Sequence, residues 1–173
     1  MSKPTPTVSI LTLGCKLNQA DSEVIARRLA GEGVRITDRP ERNADAFVIN
    51  TCSVTHVADR KARHLVRRAR RLSPGAELVL TGCYAETAPA DIVLRNADKP
   101  SIPDRLLERL RERGDPSAGC PSPERNSLRT RAFVKIQEGC NELCAFCIVP
   151  YTRGREVSVP IDRAQRYLRL RKP

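Results

Sequence analysis

Three short β-rich runs, Val8–Leu13, Asp45–Asn50 and Glu77–Thr81, each end two residues before a cysteine: Cys15, Cys52 and Cys83. The segments between them read as helices. The first is predicted to begin between Asn18 and Ser22, where Asn, Asp and Ser offer caps. It should turn Val24, Ile25 and Leu29 inward and stop at Gly31 and Gly33. From His56 to Leu72, Ala58, Ala62, Leu65, Val66, Ala69 and Leu72 recur on one face at helical spacing, and Ser73-Pro74-Gly75 closes the segment. Strand, helix, strand, helix, strand is the pattern of an α/β fold, a parallel sheet of the doubly wound type with helices packed on it.

Parallel strands joined by right-handed crossovers deliver their carboxyl ends to one edge of the sheet. Three cysteines distant in sequence should therefore meet in the crevice where such folds bind ligands. Gly14 and Gly82 precede two of them and would let the backbone approach a bulky inorganic group. Three buried structural cysteines are the alternative, since free Cys is a common core residue. The same position in three successive units favours a metal site.

Past Cys83, Ala90–Leu94 reads as a further strand, and Pro103–Arg113 as a helix with Leu106, Leu107 and Leu110 on one side. Residues 114–127 hold eight Gly, Pro or Ser in fourteen, which marks a linker, with Cys120 an incidental thiol inside it. A strand at Phe133–Gln137 leads into a loop carrying Cys140, Cys144 and Cys147, and a helix follows at Ile161–Lys172. The expected organisation is residues 1–113 as one domain, 114–127 as linker and 128–173 as the start of a second. A loop after the first strand of a βα-type barrel is where such a barrel carries its chemistry.

Cys140, Cys144 and Cys147 form a C-x₃-C-x₂-C run. Three thiolates packed this closely can hold three corners of a cubane iron–sulfur cluster and leave the fourth iron open for chemistry. A structural zinc site would want a fourth Cys or His nearby, and His56 and His64 lie far upstream. A zinc knuckle or a disulfide pair is the bland alternative.

With Phe146 just before its last cysteine, this run resembles the signature of the radical S-adenosylmethionine (SAM) enzymes. The resemblance implies that SAM chelates the open iron and that Phe146 contacts its adenine side. The following stretch, Ile148 to Glu156, is similar to one branch, the methylthiotransferases. Cys15 in Gly-Cys-Lys-Leu-Asn-Gln, Cys52 in Asn-Thr-Cys-Ser-Val and Cys83 in Thr-Gly-Cys-Tyr-Ala extend the resemblance along nearly the whole chain. It implies an auxiliary [4Fe–4S] cluster on Cys15, Cys52 and Cys83, and a second, SAM-binding [4Fe–4S] cluster on Cys140, Cys144 and Cys147. It also implies a tRNA substrate, an electron donor and a sulfur source.

Gly-Cys-Lys-x-Asn-Gln looks like the branch that adds a methylthio group to C2 of N6-threonylcarbamoyladenosine beside the anticodon. The isopentenyladenosine branch tends to Gly-Cys-Gln-x-Asn, and the ribosomal-protein branch to Gly-Cys-Pro-Lys-Asn. The chemistry implied is hydrogen abstraction from C2 by a SAM-derived radical, sulfur insertion and methylation by a second SAM. Those two other branches, or a non-catalytic iron–sulfur or zinc module that binds RNA, are the alternatives.

Charge and cysteine usage bear on partners and compartment. Thirty-one Lys and Arg against twenty Asp and Glu leave a net charge of +11, which favours a polyanionic partner. Arg67, Arg68 and Arg71 on the His56–Leu72 helix are candidate tRNA phosphate contacts, against the alternative of a plain solvated face. Seven cysteines without a secretory signal suit a reducing, cytoplasmic setting, and no apolar run is long enough to span a membrane.

The pattern departs from the resemblance in three places. The chain stops at Pro173, after the first expected barrel helix, the stretch from Cys83 to Pro103 is short, and Val159 stands where Arg is expected. A fragment, a broken gene or a misread frame would each produce such a chain, and the 173 residues alone are expected to be inactive.

Overall fold

The computed structural model describes residues 5–52, 56–83, 89–113 and 133–169. Five strands, β1 (Thr7–Thr12), β2 (Arg35–Thr37), β3 (Ala46–Thr51), β4 (Glu77–Gly82) and β5 (Ile92–Leu94), form one sheet in the order β2-β1-β3-β4-β5. Every pairing is parallel. The order reverses between β1 and β3, so the sheet is doubly wound with its switch point there.

Helices cover both faces, as a parallel sheet requires. On one face α1 (Lys16–Gly31) and α3 (Ile102–Glu112) bury Ile25, Leu29, Ile102, Leu106 and Leu110 against Val8, Ile10, Val48 and Val79. On the other α2 (His56–Leu72) packs Val66 and Ala69 against Phe47, Ile49, Leu78 and Leu80. The strands alternate cleanly between the two cores: Phe47 and Ile49 belong to one, Ala46 and Val48 to the other. The predicted strands and helices of this half are therefore present, together with β2 and a 3₁₀ turn at Asn96–Ser101, which the sequence pattern did not signal.

Two expectations for α1 are corrected. The helix starts at Lys16, with Cys15 in the extended N-cap position, rather than between Asn18 and Ser22. The polar residues expected to cap it are spent elsewhere: Ser22 accepts from Thr12 and Asn50, and Asn18 and Asp21 point to the sheet edge. Val24 is 40% exposed rather than inward. It lies two residues from Ala26, on the far side of a 3.6-residue turn.

The segment after the linker differs more. In place of a strand at Phe133–Gln137, β6 is Gln137–Glu138 and pairs antiparallel with β7 (Val157–Ser158). Between them lies α4 (Val149–Arg153), and α5 (Ile161–Arg169) follows. A two-stranded ribbon has little to bury, and Ile136, Val157, Ile161 and Leu168 are all exposed. No parallel barrel strand is present among the described residues. The predicted linker at 114–127, with Cys120, lies outside the described residues, as do Ser53, Val54, Tyr84 and Ala85 of the cysteine contexts. Among the described residues no helix is long and apolar enough to cross a membrane.

Gly14 and Gly82 have a more specific reason than room for a ligand. Both have positive φ, +91° and +99°. A carbon added at Gly14 would clash with Cys52 Cβ, and one added at Gly82 would clash with the Thr51 carbonyl oxygen. The glycines thus admit the end of the neighbouring strand β3. Gly82→Ala is expected to lower stability by at least about 2 kcal/mol, from the backbone conformation and the clash together. Gly31→Ala, with nothing within 4 Å of the added carbon, should change it by less than ~1 kcal/mol. Urea unfolding of the two variants checks this, and equal effects would refute the strand-end role of Gly82.

Candidate iron–sulfur centres at the sheet edge

Cys15, Cys52 and Cys83 follow β1, β3 and β4, which are consecutive in the sheet. Register carries the last two to the same level: Thr51 pairs with Gly82, and the next residues are Cys52 and Cys83. The Cys83 amide donates to the Thr51 carbonyl at 3.4 Å. The Cys52 side chain lies against Gly14, the neighbour of Cys15. Neighbouring strands stand about 4.8 Å apart, so the three cysteines share one short stretch of edge, at the switch point. All three are free thiols; Cys15 is exposed, Cys83 half-buried and Cys52 buried. Cys15 also occupies the N-cap of a sixteen-residue helix, whose end favours negative charge.

A polar network backs this edge. Asn18, fully buried, donates through Nδ2 to the Leu13 and Thr51 carbonyls at 2.9 and 2.8 Å. Its Oδ1 accepts from Lys99 Nζ at 3.2 Å and from the Arg153 guanidinium at 2.6 Å. Asp21 accepts from Lys99 at 2.9 Å and from Lys135 at 2.6 Å. Glu138 accepts from Lys135 at 2.8 Å and from Arg153 at 3.0 Å. The sulfurs themselves receive donors: Arg153 reaches Cys15 Sγ at 3.6 Å, and Asn96 Nδ2 reaches Cys83 Sγ at 3.7 Å.

Burial works to raise the Asp21 carboxyl, but Lys99 and Lys135 outweigh it and hold it below the usual carboxylate range. Burial likewise draws Lys99 below the ordinary lysine range against the pull of Asp21. For Lys135 burial opposes, and Asp21 and Glu138 prevail and raise it. The direction that follows from the contacts is an ionised Asp21 held by two ammonium groups.

Cys140, Cys144 and Cys147 occupy the loop between β6 and α4. The Cys140 amide donates to the Gly154 carbonyl at 3.2 Å and the Cys147 amide to that of Cys144 at 3.0 Å, so the loop is closed at its base and turned at its tip. Cys144 is exposed and the other two half-buried. Phe146, expected beside a cofactor, is 93% exposed, in company with Leu143 and Tyr151.

Among the described residues no three His, Cys, Asp or Glu side chains stand close enough together to hold a metal ion. The donor sets nonetheless suit iron–sulfur clusters. The six described cysteines divide into two sets of three thiols, and the first set has side-chain donors aimed at two of its sulfurs.

The candidate phosphate-binding arginines lie apart from both sets. Arg67, Arg68 and Arg71 are exposed on α2 and have no acidic partner among the described residues. Arg67 and Arg71 line an open groove of about 720 Å³ with His64, Pro89 and Asp91. Arg70, at the same groove, is bound to Asp91 at 2.8 Å. Sequence reasoning missed Asn96, Lys99 and the roles of Asn18, Asp21 and Arg153. No local signal marks these roles, because Lys99 and Arg153 lie 78 to 135 residues from Asn18 and Asp21 in sequence.

The sequence profile of uncharacterized protein family UPF0004 matches residues 7–101. The chain is 38% identical over 167 residues to the threonylcarbamoyladenosine tRNA methylthiotransferase MtaB of Bacillus subtilis, an overlap covering 86% of this chain and 37% of that protein. Against the protein of the same name from Aquifex aeolicus it is 33% identical, over 94% of this chain and 44% of the relative. A tRNA-2-methylthio-N(6)-dimethylallyladenosine synthase of Nitrosomonas europaea is 37% identical over 88% of this chain and 39% of its own length. The chain thus spans less than half the length of these curated relatives.

The ion cluster behind the edge predicts an acid-sensitive contribution to stability. A carboxyl with a depressed folded-state pKa stabilises above its unfolded value and loses that contribution as pH falls through the folded one. Asp21→Asn should therefore destabilise by roughly 3 kcal/mol near neutral pH, by leaving the buried Lys99 ammonium without its paired carboxylate while Lys135 keeps Glu138. The gap between wild type and variant should hold from pH ~7 to ~5 and close below about pH 4. Urea midpoints across that range measure it, and a gap independent of pH would show that Asp21 is not stabilised as a carboxylate.

Proposed function

Because the chain belongs to family UPF0004, whose profile covers residues 7–101, we propose that it carries the two cluster-binding sites of a radical-SAM tRNA methylthiotransferase. The observation that carries this reading is the placement of Cys15, Cys52 and Cys83 on three consecutive strand ends at the switch point of the sheet. Relatives named for a methylthio transfer to tRNA agree with it. The threonylcarbamoyladenosine branch is the specific substrate proposed, on the Gly-Cys-Lys-x-Asn-Gln context of Cys15. The setting proposed is cytoplasmic, with an electron donor and a sulfur source as partners.

In this reading Cys15, Cys52 and Cys83 hold the auxiliary [4Fe–4S] cluster and Cys140, Cys144 and Cys147 the SAM-binding one. When bound, these groups supply the radical and sulfur chemistry that an unactivated C–H bond requires. The chain's own residues have a different task. The Arg153, Lys99 and Lys135 cations offset the negative charge of thiolate ligands at the sheet edge. Asn18 holds two strand ends and the cations in one arrangement. The exposed ribbon and α5 leave the Cys140 loop without enclosing walls among the described residues, so the 173 residues are proposed to provide ligand sets rather than the whole reaction.

Anaerobic reconstitution of the chain should give about eight iron atoms per molecule, and about four after Cys140, Cys144 and Cys147 are changed to Ala. Nucleoside mass spectrometry should find no methylthiolated tRNA made by the chain alone. Stoichiometric zinc in place of iron would overturn the enzyme reading.

Arg67→Glu, Arg68→Glu and Arg71→Glu together should weaken tRNA binding at low salt and flatten its salt dependence by up to three phosphate contacts, a slope change of about 2–3. An unchanged affinity would leave these arginines as a solvated face. Comparing tRNA carrying threonylcarbamoyladenosine with tRNA carrying isopentenyladenosine tests the branch, with tighter binding expected for the former.

A further inference from the structure

Arg153 reaches Cys15 of the first cysteine set and Glu138, on the segment that leads into the second. It ends α4, six residues after Cys147, and its side chain is only 5% exposed. One terminal nitrogen donates to Glu138, two residues before Cys140, at 3.0 Å. The guanidinium thus joins the two ends of the Cys140–Cys147 loop, alongside the backbone bond from Cys140 to Gly154. Its other terminal nitrogen donates to Asn18 at 2.6 Å and to Cys15 Sγ at 3.6 Å. Beside it, Asn96 divides its two N–H groups between Cys83 Sγ at 3.7 Å and the Thr152 carbonyl at 2.8 Å. Adjacent residues of one short helix, Thr152 and Arg153, are thereby fixed to donors and sulfurs at the sheet edge.

A buried cation needs compensation, and Glu138 supplies one negative charge. Glu138 is shared with Lys135, and Lys99, Lys135 and Arg153 together face only two carboxylates, Asp21 and Glu138, so a negative charge at Cys15, within reach of the same guanidinium, would complete the balance. Hydrogen bonds to ligand sulfurs are one of the protein's levers on cluster potential, because they stabilise the more negative, reduced state. We propose that Arg153, seconded by Asn96, is a positioning residue that donates to the sulfur ligands of the Cys15/Cys52/Cys83 cluster, raises its reduction potential and docks the Cys140 loop against it. This role rests on the cluster reading above.

The test uses the full chain with Cys140, Cys144 and Cys147 changed to Ala, reconstituted anaerobically so that only the first cluster is present. Reductive titration followed by electron paramagnetic resonance gives its midpoint potential. With Arg153→Met the iron content should stay at about four, and the midpoint should move to a more negative value. Arg153→Lys, which keeps the charge but loses the fork, should fall between the two. In the reciprocal background, with Cys15, Cys52 and Cys83 changed to Ala, Arg153→Met should move the remaining midpoint less.

Iron retained with an unmoved midpoint overturns this role and leaves the cluster reading standing. No iron in the first background overturns both. Should Arg153→Met lose its iron, Asn96→Leu, which removes the donors to Cys83 and to the Thr152 carbonyl and leaves Arg153 in place, is used instead: a more negative midpoint supports the role and an unmoved one overturns it.

Discussion

The cysteine edge depends on the side chain of Asn18. A primary amide offers two donors and an acceptor oxygen with two lone pairs, and here all four capacities are used. Without Asn18 the Leu13 carbonyl after β1 would lose its side-chain donor, the Thr51 carbonyl at the end of β3 would keep only the long bond from the Cys83 amide, and two cations would lose an oxygen. No hydrophobe of similar size could replace it, because each abandoned buried group would cost about 1–3 kcal/mol. The doubly wound sheet supplies the edge, and Asn18 fixes the strand ends and the basic groups behind it.

That arrangement separates two kinds of stability in the molecule. The sheet and its helices are held by apolar burial, with Phe47, Ile49, Leu78 and Leu106 all excluded from water. The contacts between the sheet with its helices and residues 133–169 include ion pairs and amide bonds: Lys135 to Asp21, Arg153 to Asn18 and Asn96 to Thr152. Polar joints are directional, so they define an orientation more sharply than they hold it shut. Under the proposed function, such a joint would suit two cluster sites that face a common substrate.

The sheet was legible from sequence because its signals are local and redundant. Each of the three cysteine-bearing strands is a short apolar run, each leads into its cysteine within two residues, and the helical stripe of α2 is clean. The start of α1 was not, because Asn, Asp and Ser carry the same letters whether they cap a helix or bond across a fold. Asn18, Asp21 and Ser22 do the second, with partners up to 135 residues away. Lys99 was invisible for the same reason, since nothing adjacent announces that its ammonium will be buried against Asp21. The strand expected at Phe133–Gln137 rested on β-propensity alone. Such propensity yields a strand only where a neighbour accepts the pairing, and here that neighbour is the two-residue β7. The shared edge of Cys15, Cys52 and Cys83 was legible because each follows its strand at a fixed offset in a parallel sheet.

The reach of Asn18 also sets a schedule for the nascent chain. Its bonds span 5, 33, 81 and 135 residues, and the donor to Cys15 arrives 138 residues after it. At a synthesis rate of about 5–20 residues per second, Cys15 waits roughly 7–28 s for Arg153 to be made. During that interval the β1 and β3 ends can pair and Asn18 can find its carbonyls, but Lys99 and Arg153, which complete its bonds, are still missing. The edge therefore matures from the sheet outward, and its first thiols must be kept reduced while the chain that completes their surroundings is still being translated.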